Sequence, residues 1–299
     1  MTDVLSTPPR SQWRDIWDQF KSHRGALIGG VVFMSIVVVV FLGPLIWTID
    51  PTHVEIRARN KSPSFSYPFG TDQLGRDMLA RMMAGGRVSI SVGLTAMALA
   101  ITLGSSVGLL AGYFRKLDWP LMRLTEIFQS LPLLPLLLVM VTLFREPLAG
   151  AFGPEKGTFI LIVGAIGVTS WMATARIVRG SVLALKEREF VLAARSIGTT
   201  DFKMILRHIL PNVISPIMVS ATLGIAAAII TESALSFLGL GFPRDFPTWG
   251  RLLYDAVDYM QQYPSRVIWP GVAISLTVLS VNYLGDGLRD ALDPRIRGR

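Results

Sequence analysis

The sequence predicts an all-α membrane protein with six transmembrane helices, and two observations carry this prediction. Apolar residues make up 51% of the 299-residue chain and charged residues only 17%, against about 25% charged residues in ordinary soluble domains. The chain also contains several uncharged apolar runs, and about 18 such residues suffice to cross a bilayer.

Five runs without Asp, Glu, Lys or Arg reach that length, at 25–49, 88–114, 157–175, 208–231 and 267–285. A sixth apolar stretch, 130–144 after Gln129, is shorter and contains Pro132 and Pro135, so alone it would fit a re-entrant or buried segment. Extending it back to Leu121 makes it long enough to span. The predicted spans are therefore 25–49, 88–114, 121–144, 157–175, 208–240 and 267–288.

Six spans place both termini on one side, and the positive-inside rule indicates the cytoplasm. In that orientation the cytoplasmic segments hold 18 of the 29 Lys and Arg residues, and the external segments hold 11. The margin is narrowed by the external loop 50–87, which carries six of those 11. Basic residues lie at the ends of apolar runs, without an interleaved aromatic–basic stripe. This distribution favours insertion into a membrane, and we expect no nucleic-acid partner.

The N-terminal segment 1–24 is too long and too charged for the lead of a cleavable signal peptide. Apolar residues recur in it at helical spacing beside basic ones, at Trp13, Ile16, Trp17 and Phe20. This pattern predicts a cytoplasmic interfacial helix before the transmembrane domain of 25–299.

A basic segment, 176–211, separates the fourth and fifth predicted spans. Within it, Glu187 to Ile197 reads as a helix that places Phe190, Ala193, Ala194 and Ile197 on one face. Gly198 is suited to a left-handed stop. A second short helix, capped by Thr199 or Thr200, would then present Phe202, Ile205, Leu206 and Ile209.

This segment resembles the "EAA" loop of ABC importer permeases. Glu189, the paired alanines Ala193 and Ala194, Gly198, and Leu210-Pro211 follow that pattern, whereas Leu192 occupies the position of the family's glutamate. The resemblance implies that 176–211 is a coupling loop, which contacts an ATPase through these residues. An amphipathic helix lying on the membrane surface is the alternative.

Three further stretches are similar to one branch of that family, the C-type permease subunits of dipeptide, oligopeptide and nickel ABC importers. They are Phe69 to Asp77, Glu232 to Gly241 followed by Pro247-Thr248-Trp249-Gly250, and Asn282 to Arg295. The resemblance implies a type I ABC importer permease fold with cytoplasmic EAA-type coupling helices, in a bacterial inner membrane.

The resemblance also implies the assembly and its chemistry. The partners would be a second homologous permease, two ATP-binding subunits, an extracytoplasmic substrate-binding protein and the lipid bilayer around the spans. This chain would bind no cofactor, since the ATPase subunits use ATP and Mg²⁺. It would form half of a pathway for peptides, with nickel chelates, glutathione or other modified peptides as alternatives.

Glu232 is expected near the outer end of the fifth span, where a carboxylate is costly unless it is paired or hydrated. The sequence leaves two interpretations open. Glu232, with Ser233 and Ser236, lines the pathway or a gate; alternatively, the carboxylate is structural. Ser233, Ser236, Gly239 and Gly241 would also permit close helix packing.

Catalytic and rival transport functions are poorly supported by the residues. The sequence has no P-loop and no Gly-x-Ser-x-Gly, and its three histidines are far apart. We therefore predict a non-catalytic subunit. A secondary transporter would need ion-coupling residues at mid-membrane, which the uncharged runs hardly offer. A membrane anchor or sensor would not need six spans.

The orientation can be tested with single cysteines, because the native chain contains none. Cysteines at Ser11, Thr199 and Arg297 should resist a membrane-impermeant thiol reagent added to intact cells, since these positions are predicted to be cytoplasmic. A cysteine at Ser62 should react. Labelling at Thr199 from outside would reverse the proposed orientation.

Overall fold

The computed structural model describes residues 12–243 and 245–292, and within these ranges the regular structure is helical. The α-helices are α1 (Gln12–Ser22), α2 (Arg24–Ile46), α3 (Met78–Tyr113), α4 (Arg115–Ser130), α5 (Leu133–Phe152), α6 (Pro154–Lys186), α7 (Glu189–Ser196), α8 (Asp201–Lys203), α9 (Leu210–Phe237), α10 (Trp249–Ala256) and α11 (Ser265–Leu292). A π-helical turn, Met204–Ile209, joins α8 to α9.

Six helices are long and apolar enough to cross a membrane, which confirms the predicted all-α, six-span fold class. They are α2, α3, α5, α6, α11 and the unbroken helix Asp201–Phe237 formed by α8, the π turn and α9. Helix α1 represents the predicted interfacial helix, although 1–11 lies outside the described residues. Its place at the membrane surface stays a prediction.

The predicted third span, 121–144, is wrong in its boundaries. Residues 121–130 belong to α4, which ends at Ser130, and the apolar helix α5 starts only at Leu133. Pro132 is the N-cap residue of α5. A proline at this place fits the start of a helix, because its missing N–H would have no partner there. The prediction had joined two helices across this break.

Two other helices extend well beyond their uncharged runs. Helix α3 begins at Met78 rather than at 88, and α6 continues to Lys186 rather than ending at 175. An uncharged run marks the apolar part of a helix, whereas the helix itself continues wherever its charged residues find partners or water.

Helices α3 and α6 pack closely through a stripe of glycines on α3. Gly104, Gly108 and Gly112 are spaced four residues apart and therefore share one face. A Cβ atom at Gly104 would lie 2.5 Å from the Trp171 carbonyl oxygen, and one at Gly108 would lie 2.5 Å from the Ala175 carbonyl oxygen. Small residues at such spacing let helix backbones approach each other in membranes.

The turn before α3 is held by a buried ionic cluster. The Asp72 carboxylate accepts hydrogen bonds from Arg76 Nε at 2.6 Å and from Arg81 Nη1 at 2.5 Å, and all three side chains are buried. Burial by itself would raise the pKa of Asp72, but the two guanidinium groups outweigh it and hold that pKa below its ordinary value. Two of the basic residues in loop 50–87 are thus internal ion-pair partners.

Arg87, a third basic residue of that stretch, completes the hydrogen bonding of another helix. Pro44 lies inside α2 and lacks an N–H, so the Val40 carbonyl cannot receive its usual bond from four residues later. Arg87 Nε donates to this carbonyl oxygen at 3.0 Å. A charged side chain near the membrane region is thereby explained by the proline of the neighbouring helix.

Gly108→Ala should destabilise the protein, although Gly→Ala within a helix ordinarily stabilises by about 0.5–1 kcal/mol. The added methyl group would meet backbone of α6 and force the helices apart, at a cost of about 1–3 kcal/mol. Gly164→Ala is the matched control, because a Cβ there meets nothing within 4 Å. Thermal unfolding of the purified protein should show opposite shifts, and equal shifts would contradict the packing argument.

Candidate functional site: the coupling loop and a buried carboxylate

The first coupling helix, α7, ends in the manner predicted from its glycine. Gly198 has a φ of 79°, which confirms the left-handed stop. The Thr199 N–H donates to the Ala194 carbonyl at 3.2 Å, and the Gly198 N–H donates to the Arg195 carbonyl at 3.0 Å. This pair of bonds is the Schellman motif, which satisfies carbonyl groups at a helix end.

The buried face of α7 differs from the predicted stripe. The helix covers Glu189–Ser196, shorter than the predicted 187–197, and its buried residues are Val191 and Ala194, which are 0% and 6% exposed. Ala193 lies on the exposed side. The reason is the close approach of α7 to the bundle, where Val191 and Ala194 pack in one cluster with Val178 of α6.

The second coupling helix is not a separate element. Residues 201–211 run through the π turn directly into the fifth spanning helix, with Leu210 and Pro211 in its continuous length. The prediction of a short independent helix is therefore wrong. A π turn widens the helix locally, and here it directly precedes Pro211, whose ring would otherwise press on the preceding turn.

The coupling loop exposes an apolar surface that the rest of the described chain leaves uncovered. Ile197 is 84% exposed and Phe202 is 73% exposed. We call this surface the docking face; its apolar members are Phe190, Leu192, Ile197, Phe202 and Leu206, with Ala193 among them. Leu192, at the position of the family glutamate, thus lies where it can meet a partner.

Polar contacts tie the coupling loop to the end of α3. Tyr113 Oη donates to Asp201 Oδ1 at 2.5 Å, and Lys186 Nζ donates to the Gly112 and Tyr113 carbonyls, both at 3.2 Å. Sequence reasoning missed these residues, because nothing in their local pattern marks partners so far away along the chain.

A second tie joins α4 to α6. Arg179 donates to both carboxylate oxygens of Asp118, at 2.5 and 2.8 Å. This bonding lowers the pKa of Asp118 below its ordinary value. The forked geometry is the arrangement in which a guanidinium binds a carboxylate most specifically.

Glu232 is completely buried, at 0% exposure, where α9 meets α3 and α10. Its Oε1 accepts a hydrogen bond from Ser236 Oγ at 2.7 Å, and its Oε2 accepts one from Ser89 Oγ at 2.8 Å. The Trp249 N–H at the start of α10 donates in turn to Ser89 Oγ at 3.3 Å. The carboxylate therefore connects three helices through hydroxyl groups. Ser89 carried no signal in the sequence.

The glycines after Glu232 make this arrangement possible. Gly239 has a φ of 78° and ends α9 in a left-handed turn. A Cβ atom at Gly241 would collide with Ser236, the residue that reaches Glu232. Gly250 meets Ser233 in the same way, since a Cβ there would lie 2.6 Å from the Ser233 Cα. The predicted small-residue packing at Ser233 and Ser236 is therefore present.

Across residues 12–243 and 245–292, no three His, Cys, Asp or Glu residues lie together so as to hold a metal ion.

The described chain forms a bundle of six candidate spanning helices and presents a helical loop with an exposed apolar face. Its fold is the type I ABC importer permease fold, since the structure matches a chain of the MetNI methionine ABC transporter, solved in inward-facing conformations. That match has a TM-score of 0.59 at 18% identity and covers 72% of this chain and 98% of the other.

The chain belongs to the family of binding-protein-dependent transport system inner membrane components, whose model matches residues 100–298. A second model, the N-terminal TM domain of oligopeptide transport permease C, matches residues 11–63. The resemblance found in the sequence is thereby confirmed.

Curated relatives match nearly the whole chain. The dipeptide transport system permease protein DppC of Alkalihalophilus pseudofirmus is 35% identical over 98% of this chain and 95% of its own length. The oligopeptide transport system permease protein OppC of Bacillus subtilis is 36% identical over 99% and 93%. The glutathione transport system permease protein GsiD of Pectobacterium atrosepticum is 34% identical over 96% and 93%.

Glu232→Gln should assemble normally, because a serine hydroxyl can reverse and accept from the new amide group. It should lower substrate uptake, since the negative charge at the contact of the three helices is gone. Glu232→Leu should instead reduce thermal stability, because it leaves two buried hydroxyls without their acceptor. Uptake into vesicles and thermal unfolding of the purified complex measure the two effects. Native uptake by Glu232→Gln would leave Glu232 a purely structural carboxylate.

Proposed function

We propose that this chain forms half of the translocation pathway of an ATP-driven importer for dipeptides or oligopeptides. The second half is a homologous permease, two ATP-binding subunits supply the energy, and an extracytoplasmic binding protein delivers the peptide. Full-length similarity to permeases named for dipeptide and oligopeptide transport supports the substrate class. Glutathione is the second candidate, because one similar permease is named for it.

The observation that carries the proposal is the docking face of the coupling loop. Large apolar side chains such as Ile197 and Phe202 stand exposed on a helical segment that is itself well anchored. Such a patch marks an interaction site on a protein. An ATPase subunit is the proposed partner, and the coupling loop and both termini are then cytoplasmic.

Two direct connections would carry a movement of the coupling loop into the bundle. Asp201 is bonded to Tyr113 at the end of α3, and residues 201–211 continue without a break into α9. A displacement of the loop by the ATPases is therefore transmitted to α3 and α9 together. These two helices also share Glu232, so the same displacement acts on the contact between α9, α3 and α10. In the proposed mechanism this motion opens the pathway alternately to the two sides.

Leu192 gives the docking face a different chemistry from a charged contact. No carboxylate at this position is available for a basic group of the partner, so binding depends on apolar packing and on nearby acidic residues such as Glu189. Leu192→Ala should weaken ATPase association about tenfold, the equivalent of about 1.4 kcal/mol. Leu192→Glu should be tolerated. Co-purification of the ATPase subunits and substrate-stimulated ATP hydrolysis measure both variants.

Two substitutions test docking independently of Leu192. Ala193→Trp should overfill the contact, because Ala193 is on the docking face, whereas Ala194 packs inward and would report on folding. Ala151→Trp is the matched control, since Ala151 is also exposed and lies near the end of α5, just before the start of α6 and thus far along α6 from the coupling loop.

Gly198→Val should also uncouple ATP hydrolysis, because a β-branched residue strains a left-handed turn. A Cβ at Gly198 meets nothing within 4 Å, so the strain alone is tested. Gly198→Asn is the control, since asparagine tolerates this conformation. Full stimulation of ATP hydrolysis in both Ala193→Trp and Gly198→Val, at native expression, would refute docking through this face.

A further inference from the structure

A cavity of about 540 Å³ lies between the α3–α4 turn and the coupling loop. Arg115 and Lys116, the first two residues of α4, line it on one side, and Arg195 of α7 lines it on the other. All three residues are exposed, so their charged groups are open to a ligand that enters from outside the chain. The cavity therefore brings together three positive charges from two elements that are distant in the sequence.

The cations of this cavity outnumber its acidic group. Asp201 is the carboxylate that lines it, and Asp201 Oδ1 already accepts a hydrogen bond from Tyr113 Oη at 2.5 Å. The neighbouring carboxylate of Asp118 is held by the guanidinium of Arg179. In the part of the chain that the structure describes, the ion pairs include none of the three cations. The lining therefore has three cations against one carboxylate, and this excess of positive charge favours an anion.

The cavity lies where α3 leaves the hydrocarbon of the bilayer. The uncharged run 88–114 ends at the cavity, and the two basic residues of α4 follow directly. Trp119, one turn further along α4, is 73% exposed, and tryptophan is enriched at the membrane–water interface. Basic pockets beside spanning helices on the cytoplasmic side, the side proposed above for the coupling loop, bind the headgroups of anionic lipids. A lipid headgroup at this level is within reach of the cavity.

Helix α4 runs from the cavity into the bundle along α6. Near its start, Asp118 is bonded to Arg179 of α6. Near its end, Phe128 packs edge-on against Trp171 of the same helix, with ring centroids 6.1 Å apart. Because Trp171 lies further from the coupling loop than Arg179 does, α4 leads away from the coupling loop and toward the bilayer centre.

An apolar stripe on α4 starts in the cavity. Leu117 lines the cavity, and Leu124 and Ile127 follow it at i+7 and i+10, which keeps the three side chains on one face of the helix. They are 40%, 43% and 54% exposed. The stripe is about 15 Å long at a rise of 1.5 Å per residue, which is half of a hydrocarbon core about 30 Å thick. It offers an acyl chain a surface directly below the cations.

We propose that this cavity binds the phosphate of an anionic phospholipid such as phosphatidylglycerol, taken from the leaflet on the coupling-loop side. Arg115, Lys116 and Arg195 bind the phosphate, and one acyl chain lies along the apolar stripe of α4. A zwitterionic lipid brings a cation of its own beside its phosphate, so the excess positive charge of the cavity selects the anionic lipid. The bound lipid connects the start of α4 to α7 and thereby stabilises the coupling loop against the bundle.

The test offers the purified transporter complex equal amounts of phosphatidylglycerol and phosphatidylcholine with identical acyl chains. Native mass spectrometry should show phosphatidylglycerol retained at least several-fold more often. The double variant Arg115→Gln with Lys116→Gln should lose this preference, and Arg195→Gln alone should weaken it. The matched control is Lys203→Gln with Arg207→Gln, which removes two exposed cations of the coupling loop that do not line the cavity; its preference should stay at the native level.

A charge-preserving variant, Arg115→Lys with Lys116→Arg, should keep the preference, because the phosphate is bound by charge. Equal retention of the two lipids by the native complex, or a native preference in the double glutamine variant, would overturn the proposal. Displacement of the lipid by an excess of inorganic phosphate would show that the site takes free phosphate instead. Weaker ATPase co-purification with unchanged lipid retention in the double glutamine variant would also overturn it, since an acidic group of the ATPase would then be the occupant.

Discussion

The close packing of α3 on α6 is the constraint on which the rest of the structure depends. The glycines at 104, 108 and 112 remove side chains from the contact, so the two backbones meet directly. Helix α6 leads into the coupling loop, whereas α3 carries Ser89, which bonds Glu232, and Arg81, which bonds Asp72. A single pair of helices thereby fixes the distance between the docking face at one end of the bundle and the buried polar contacts toward the other.

Much of the fold could be predicted from local pattern alone. Uncharged runs reported the six apolar helices because hydrocarbon excludes charge, and Gly198 reported its own left-handed turn. Boundaries failed where a distant partner decides the outcome, as at Arg81, which continues α3 because Asp72 lies beside it. At α7, periodicity gave a helix but not its buried side, since that depends on where α6 lies. The glycines of α3 are spaced four residues apart in the sequence, but only the position of α6 shows what they pack against.

The coupling loop is held against the bundle on its inner side and is exposed on its outer side. Its inner residues, Val191 and Ala194, are packed completely against the bundle, and polar bonds fix its two ends. Its outer side chains therefore cannot be buried by local rearrangement. In the proposed function the ATPase subunit covers this apolar face, and leucine at position 192 adds to the apolar area that it covers.

The hydrogen bond between Arg87 and the Val40 carbonyl helps to position α2 along the bundle. Apolar contacts between helices have little direction, so this bond adds a directional contact to the packing of α2 on the bundle. Pro44 leaves the Val40 carbonyl, at a fixed position along α2 and on one side of it, without its usual N–H donor. The Arg87 guanidinium donates to this carbonyl. Pro44 and Arg87 therefore act together in positioning α2, and related permeases should have both residues or neither.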